Sequence, residues 1–321
     1  MNPTLLQILY DSHIGLPNDS AYYWGLLDDI EKSNVHAQTY TIMKQGGRLE
    51  ATPAFYQQIL KEKFQRVLFQ NILIKNQTNQ ILNDFEKSGI DIIPLKGTAF
   101  AEQHFGHLGS RPTSDIDLLI MPTDMDRAID IVKSLGYIEE RKPIPFHFHR
   151  SYSKVLPGSS IPLTVELHWD ILKQTTANFY VEEIWEEALS IKDSLYIKKI
   201  SDFHLFYMIC LHGWRHNMES LKYFIDIIQL ISTLNIDYIR LMEDTKRHKT
   251  RKRIIRTLSI VYQQLPTLHL LNKFPYEIPT SYGHRNFPLK KYVDFIDYSF
   301  LSYDSPKHSM VELYHWLHPK Y

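Results

Sequence analysis

The chain carries two aspartates, Asp115 and Asp117, two residues apart at the head of an apolar segment, DIDLLIM. This composition predicts a β-strand, and residues two apart in a strand point to the same side, about 6.6 Å apart. Two carboxylates held this way repel each other unless a cation lies between them. Pairs of divalent ions use such carboxylates in phosphoryl and nucleotidyl transfer. The structural alternative is a strand start with one capping and one solvated aspartate.

A glycine turn precedes these aspartates in the segment IIPLKGTAFAEQHF. The segment predicts a strand, a turn at Gly97 and a helix that begins at Thr98. Glycine lets the backbone approach a ligand closely, and the amides at the positive end of a helix favour phosphate. Lys96 and Arg111 add cations beside the turn and just before the aspartates. Lys-Gly-Thr alone is weak evidence, because a purely structural glycine turn has the same pattern.

A third carboxylate follows in the segment LTVELHWD. If this segment is a strand, Thr164, Glu166 and His168 lie on one face, and Val165 and Leu167 lie on the other. Glu166 then supplies an acid from a neighbouring strand. The exposed face of an ordinary half-polar hairpin is the alternative, and Asp170 is the next acid to consider if Glu166 lies on the far side of the sheet.

In this order the motifs resemble the nucleotidyltransferase superfamily typified by DNA polymerase β. More narrowly, they resemble a bacterial group of uncharacterised nucleotidyltransferases. The motifs that carry the resemblance are LKG, R-x-x-x-D-I-D-L-L, E-L-H-W and the helical stretch CLHGWRHNMESLKYFIDI, and together they span about residues 92–230. The threonine after Gly97 departs from the serine or glycine that is usual in the superfamily, as does the long interval from Gly97 to Asp115.

The resemblance implies transfer of a nucleoside monophosphate from an NTP to an acceptor hydroxyl, with release of pyrophosphate. It implies Mg²⁺, or Mn²⁺ as the alternative ion, held by Asp115, Asp117 and Glu166, with Glu166 also activating the acceptor. The acceptor, a small molecule, a protein or an RNA, is left open. Rival functions are a catalytically inactive nucleotide-binding or sensor module and a nucleotidyltransferase-type toxin that acts on tRNA or protein.

The resemblance also implies contacts around the metal. The residues predicted to touch the nucleotide phosphates are Lys96, Gly97, Thr98, Arg111 and Ser114. The residues that could face the cleft are His168, His212, Lys222 and Asp226. Three alternatives stay open: Arg111 could simply neutralise the acids, Lys222 and Asp226 could form an ion pair between helices, and His212 could be an interior histidine.

The surrounding pattern predicts an α+β protein with a polymerase β-like core between helical segments. The predicted parts are an N-terminal helical segment (1–90), a nucleotidyltransferase core (91–200) and a C-terminal helical domain (201–321). A long amphipathic helix is expected from an N-cap at Thr52, with Pro53 in the first turn, to a stop at Gly89. The turn PGSS predicts a hairpin that ends in the Glu166 strand.

Composition excludes several classes. The 36 Lys and Arg residues balance 36 Asp and Glu residues, so no global charge attracts nucleic acid or membrane. The single cysteine, Cys210, excludes an intramolecular disulfide and a multi-cysteine zinc site. There is no signal-like start and no apolar run long enough to span a membrane. A cytoplasmic protein without an obligate nucleic-acid partner is expected.

Two further features have ordinary explanations. The basic run KRHKTRKRIIR (246–256) could contact RNA phosphates, but most such runs are the solvated face of a helix. In FHFHR (146–150), His147 and His149 have a spacing that could bind zinc. Without a matched third ligand in the sequence, a polar strand face or a substrate wall is favoured.

Overall fold

The computed structural model describes residues 4–140, 147–156, 162–276 and 288–317. Its centre is a five-stranded sheet of β1 (Ile92–Pro94), β2 (Asp115–Ile120), β3 (Ile138–Glu139), β4 (His149–Lys154) and β5 (Leu163–His168). The spatial order is β1-β2-β5-β4-β3, in which β2 and β5 are parallel and the other pairs antiparallel. A small second sheet pairs β6 (Leu189–Ser190) with β7 (Lys198–Lys199). The predicted α+β class is confirmed.

Helices precede, connect and follow the strands of this sheet along the chain. Before and within the sheet segment they are α1 (Leu5–Tyr10), α2 (Ser20–Ser33), α3 (His36–Gln45), α4 (Ala54–Lys87), α5 (Thr98–Phe105), α6 (Met125–Ser134) and α7 (Glu182–Glu186). After it they are α8 (Asp202–Arg215), α9 (Leu221–Thr233), α10 (Tyr238–Arg247), α11 (Arg251–Gln264), α12 (Leu268–Leu271), α13 (Pro288–Ile296) and α14 (Pro306–Leu317). Within these described residues, no helix combines the length and apolar character needed to cross a bilayer.

The long helix α4 forms where its apolar periodicity predicts it. Its N-cap residue is Pro53, one residue later than the predicted cap, and the Thr52 hydroxyl donates instead to the Leu49 carbonyl. The helix ends at Lys87, and Gly89 then adopts a φ of 65°, which suits glycine. The helix thus ends where the glycine signal predicts.

One face of the central strands is apolar and packs against α4 and α6. Its strand residues are Ile116, Leu118, Ile120, Val165 and Leu167. Burial of each such side chain stabilises the fold by about 1.5–3 kcal/mol. A slip of one residue in the register would move the whole apolar set to the other face. Burial therefore fixes Asp115 and Asp117 on the opposite face.

A second apolar core joins the two ends of the chain. It contains side chains from α1 and α2, such as Ile8 and Tyr23, together with side chains from the later helices, such as Ile228 and Leu258. Leu119, on the same strand face as Asp117, also belongs to this core. The helices after the sheet therefore lie over its polar face.

The predicted hairpin is present as the antiparallel pair β4 and β5. Its register places His149 opposite His168 and Ser151 opposite Glu166. The predicted turn PGSS lies outside the described residues. The pairing nevertheless shows that the β5 strand reaches the centre of the sheet with β4 on one side and β2 on the other.

Candidate active site

Three carboxylates meet on the polar face of the sheet. Asp115 and Asp117 project from β2, and Glu166 projects from β5, directly opposite Asp117 in the parallel register. Adjacent strands lie about 4.8 Å apart, so these side chains are neighbours. The side chain of Asp117 is buried, whereas those of Asp115 and Glu166 are 30% and 24% exposed. In this group, the carboxylate of Asp117 is therefore inaccessible to solvent, whereas those of Asp115 and Glu166 are accessible.

Two basic side chains lie between these acids. Nζ of Lys96 is 3.5 Å from Oδ2 of Asp115 and 3.1 Å from Oδ2 of Asp117. Nε2 of His168 is 3.2 Å from Oδ1 of Asp117 and 3.1 Å from Oε2 of Glu166. The cation expected between the two aspartates is, in this structure, the Lys96 ammonium.

The same contacts shift the pKa values of the buried groups. Burial raises the pKa of Asp117, but the charge of Lys96 and the hydrogen bond with His168 outweigh it and hold that pKa well below its usual range. Burial lowers the pKa of Lys96, yet the two aspartates more than compensate and raise it. For His168, hydrogen bonds with Asp117 and Glu166 likewise outweigh burial and raise the pKa. Asp117 and Lys96 are therefore an ionised pair.

A cavity of about 310 Å³ opens beside the cluster. One wall is the polar sheet face, formed by Lys96, Asp115, Asp117, His149, Glu166 and His168. The opposite wall is α8 and its C-terminal end, which contribute Met208, Ile209, Leu211, His212, Trp214, Arg215 and His216. The acids thus face an enclosed space between the sheet and the helices that follow it, a geometry suited to a small ligand.

The glycine turn lies at the edge of this cavity. Gly97 has a φ of 90°, a conformation that other residues rarely adopt, and α5 begins at the next residue, Thr98. A side chain at position 97 would approach the Asp115 carbonyl, and Ser114 Oγ lies 3.3 Å from Asp115 Oδ1. The turn and the first aspartate are therefore adjacent, although Gly97, Thr98 and Ser114 lie outside the residues that line the cavity.

Arg111 is bound by a buried carboxylate. Its Nε and Nη2 donate to the two oxygens of Asp226 on α9, each at 2.8 Å, and both side chains are almost completely buried. The Arg111 guanidinium also lies 5.0 Å from the centre of the Phe100 ring. The structure therefore favours the alternative in which Arg111 balances charge, and the partner of Asp226 is Arg111, not Lys222.

Lys222 and His212 are basic groups near the cluster, and the pKa of each is lowered. The charge of Arg111, followed by burial, lowers the pKa of Lys222 to about 8. Burial and the nearby Lys96 lower the pKa of His212 well below its usual value. Within the described residues Lys222 forms no ion pair. His212 lines the cavity as a neutral imidazole, and Lys222 lies outside the lining residues.

Sequence reasoning missed Arg215, which the structure places in the cavity wall. Its guanidinium lies 4.4 Å from the centre of the Phe148 ring, and in the described part of the chain it has no carboxylate partner. Its position three residues after His212 on α8 was the available signal, because residues three apart share a helix face. Arg215 is therefore a cation that faces the ligand space and that no carboxylate of the described residues neutralises by direct contact.

His149 lies next to Glu166 and His168 of β5, whereas His147, its partner in the sequence pattern, is not part of this group. Its Nε2 is 3.6 Å from Oε1 of Glu166, and its ring centre is 4.7 Å from that of His168. Burial, together with the nearby His168, lowers the pKa of His149 to about 2. Phe146 lies outside the described residues, and of the rest of the FHFHR motif Phe148 and His149 line the cavity.

Asp170 does not replace Glu166 as the third acid. It is buried, and its Oδ1 accepts hydrogen bonds from the backbone amides of Ile171 and Leu172. Burial raises the pKa of Asp170 to about 6. It holds the turn that follows β5.

The basic run 246–256 is not a continuous solvated face. It spans the junction of α10 and α11, and Arg253 is fully buried, where it donates to the Thr176 carbonyl. Arg256 is also buried and pairs with Asp294 and Asp297. Arg247 pairs with Glu183. The prediction of a solvated helix face is wrong for the buried arginines, whereas Lys246, Lys249 and Lys252 are exposed as predicted.

Comparison with known families agrees with this geometry. The profile of a family described as "Uncharacterised nucleotidyltransferase" matches residues 25–265, which is well over half of the chain. The chain belongs to this family, and the predicted resemblance is confirmed. Searches of curated proteins and of solved structures find no match.

Proposed function

We propose that the protein is a Mg²⁺-dependent nucleotidyltransferase that moves a nucleoside monophosphate from an NTP to an acceptor hydroxyl and releases pyrophosphate. The observation that carries this proposal is the register of β2 and β5, which sets Glu166 opposite Asp117 beside a cavity. Family membership supports the same reaction class. Transfer to a hydroxyl requires charge neutralisation and positioning, and this cluster supplies groups for both.

The donor set fits Mg²⁺, or Mn²⁺ as the alternative. Mg²⁺ prefers oxygen ligands and binds through one or two carboxylates together with substrate phosphates. Asp115, Asp117 and Glu166 would hold it, since all three lie on the same face of two adjacent parallel strands. When bound, the ion neutralises phosphate charge and lowers the pKa of the acceptor hydroxyl.

The residues of the chain have separate tasks in this proposal. The acceptor oxygen bonds to the α-phosphorus while the bond from that phosphorus to the bridging oxygen breaks, and pyrophosphate leaves. Glu166 takes the hydroxyl proton, because its carboxylate is accessible and not sealed like that of Asp117. Arg215 neutralises phosphate charge from the α8 wall, and Gly97, Thr98 and Ser114 position the phosphates with backbone amides and hydroxyls.

Lys96 has a particular role because it occupies the space between the aspartates. A Mg-NTP complex brings both a cation for the aspartates and an anion for the ammonium. Lys96 can then exchange its carboxylate partners for a triphosphate oxygen without becoming unpaired. The same side chain would hold the empty site together and bind the substrate.

Labelled nucleotides test the reaction and separate it from its rivals. The full-length protein is incubated with Mg²⁺, desalted cell extract and NTPs labelled at the α- or the γ-phosphate. The proposal predicts that α-label, and not γ-label, passes to an acceptor in the protein, RNA or small-molecule fraction, and that Asp117→Asn abolishes transfer. An inactive sensor would bind NTP and transfer neither label, and label in the tRNA or protein fraction would identify a toxin-like acceptor.

The pKa of Lys222 predicts how NTP binding depends on pH. If Lys222 donates to the triphosphate, Mg-ATP affinity should fall as pH rises through about 8, because the free site loses that ammonium proton. Lys222→Gln should weaken binding by about 10-fold at neutral pH, the size expected for one charge-assisted hydrogen bond, and should flatten this dependence. Calorimetric titration from neutral pH to one unit above the pKa measures both.

Lys222→Arg is the matched control, since arginine keeps its charge throughout this range. It should retain neutral-pH affinity and lose the decline at higher pH. The charged and titratable groups around Lys222 that could contribute are Lys96, Arg111, Asp115, His212, His216 and Asp226. A decline that persists in the arginine variant would place the titrating group among these neighbours.

A further inference from the structure

We propose that His149, Glu166 and His168 form a binding site for a divalent first-row transition metal ion. One ligand atom from each residue lies within 4.8 Å of the other two, although the residues come from two strands. The ligand set is two imidazoles and one carboxylate, which differs from the all-carboxylate set that would hold Mg²⁺. A role of this transition-metal site in the reaction rests on the proposed function, but the binding of the ion does not.

The distances between the donor atoms suit one small ion. Bonds of about 2.0–2.2 Å in tetrahedral geometry place donor atoms about 3.3–3.6 Å apart. Oε2 of Glu166 is 3.1 Å from Nε2 of His168, and Oε1 of Glu166 is 3.6 Å from Nε2 of His149. The carboxylate therefore lies between the two imidazoles, and an ion could be bound with only small side-chain movements.

The sheet holds these ligands in place. His149 and His168 are directly opposite each other in the antiparallel pair β4 and β5, and Glu166 is two residues before His168 on the same face. The side chains of His149 and His168 are only 14% and 9% exposed. A site whose ligands are fixed by strand register needs little reorganisation to bind an ion.

His149 has no other evident task in the described residues. Its Nδ1 is buried without a hydrogen-bond partner, and its Nε2 contact with Glu166 is longer than a hydrogen bond. Burying a polar nitrogen without a partner costs free energy. Metal coordination through Nε2 would give the ring a polar partner at the nitrogen that faces Glu166. The cavity offers the ion an open side for water or substrate.

The ligand chemistry determines which ions bind. Imidazole suits Zn²⁺, Co²⁺ and related ions, whereas Mg²⁺ prefers oxygen and keeps its waters. Glu166 belongs to both ligand sets, so its carboxylate would be shared between a transition ion on the His149 side and Mg²⁺ on the Asp117 side. The site therefore predicts that activity responds to a transition ion even when Mg²⁺ is saturating.

Titration of the chelator-treated, full-length protein with Co²⁺ tests the site without nucleotide. We expect one Co²⁺ per chain, a visible absorption band of nitrogen-ligated Co²⁺, displacement by Zn²⁺ and resistance to excess Mg²⁺. His149→Gln should weaken Co²⁺ binding by at least about 100-fold. Loss of a residue that only hydrogen-bonds to a metal ligand already lowers metal affinity by about 10–100-fold, and His149 would be a ligand itself. Glu166→Gln should act in the same direction.

His216→Gln is the matched control. His216 also lines the cavity, but it lies on the wall opposite the sheet, and its ring stacks on Tyr223. Because His216 is not one of the three proposed ligands, the Co²⁺ affinity of this variant should be unchanged. Melting curves in chelator verify that each variant is folded. Unchanged Co²⁺ binding in folded His149→Gln, or displacement of Co²⁺ by Mg²⁺ at similar concentration, would overturn the site. Co²⁺ binding without nucleotidyl transfer would overturn the proposed function and leave this site standing.

Discussion

Asp117→Asn is expected to lose nucleotidyl transfer and also to destabilise the metal-free protein. Transfer should fall by at least about 10²–10³-fold, as when one preorganised electrostatic contact is removed from an active site. The stability loss should be about 1–3 kcal/mol, the cost of leaving a buried polar group poorly paired. Lys96 would retain only Asp115, at 3.5 Å, and His168 would lose a charged partner. Urea unfolding in chelator measures the stability change.

Asp115→Asn is the matched control for this result. Asp115 also contacts Lys96 and would also hold the metal, but its side chain is 30% exposed, whereas that of Asp117 is 2% exposed. Transfer should fall similarly in both variants, and only Asp117→Asn should lose substantial stability. If Asp117→Asn unfolds at the same urea concentration as the unsubstituted protein, the buried pair with Lys96 contributes no stability. If it still transfers nucleotide, the catalytic assignment is wrong.

The sequence predicts the positions of the three acids because local patterns determine them. Alternation in DIDLLI and LTVELH assigns each side chain to a face, and burial of Ile116 and Val165 selects which face is inside. The glycine at position 97 likewise predicts a turn before α5, where φ is 90°. Such features depend on residues that are close together in the chain.

The charge balance of the site could not be predicted in the same way. Lys96 is near the aspartates in sequence, but whether its ammonium lies between them depends on the pairing of β1 with β2. The cross-strand contact of His149 with His168 depends on a hairpin register that the turn segment alone does not reveal. In the basic run, Arg253 and Arg256 are buried because α11 packs in the core, which local charge density cannot indicate.

The ion pair between Arg111 and Asp226 is the contact that local sequence patterns are least able to predict, since Asp226 lies 115 residues further along the chain. Removing either member should destabilise the protein by about 3–5 kcal/mol, because the other is left as a buried, unpaired charge. Asp226→Leu should therefore be among the most destabilising substitutions in the chain. The double variant Arg111→Met, Asp226→Leu should recover most of this loss, since buried ion pairs can be replaced by apolar side chains of similar volume. Urea unfolding of Arg111→Met, of Asp226→Leu and of the double variant measures how much stability is recovered.

The double variant also decides whether Arg111 binds phosphate. If Arg111 only balances Asp226, the double variant should be stable and bind Mg-ATP with nearly the original affinity, because the Lys96 ammonium and the Arg215 guanidinium remain beside the cavity. If the guanidinium exchanges Asp226 for a phosphate on binding, stability should recover while affinity falls by about 10-fold or more, the loss of one charged contact. Binding must be measured on this variant, because the single variants confound affinity with unfolding. The buried bidentate geometry favours the first outcome, since a phosphate would have to displace a carboxylate that already satisfies Nε and Nη2.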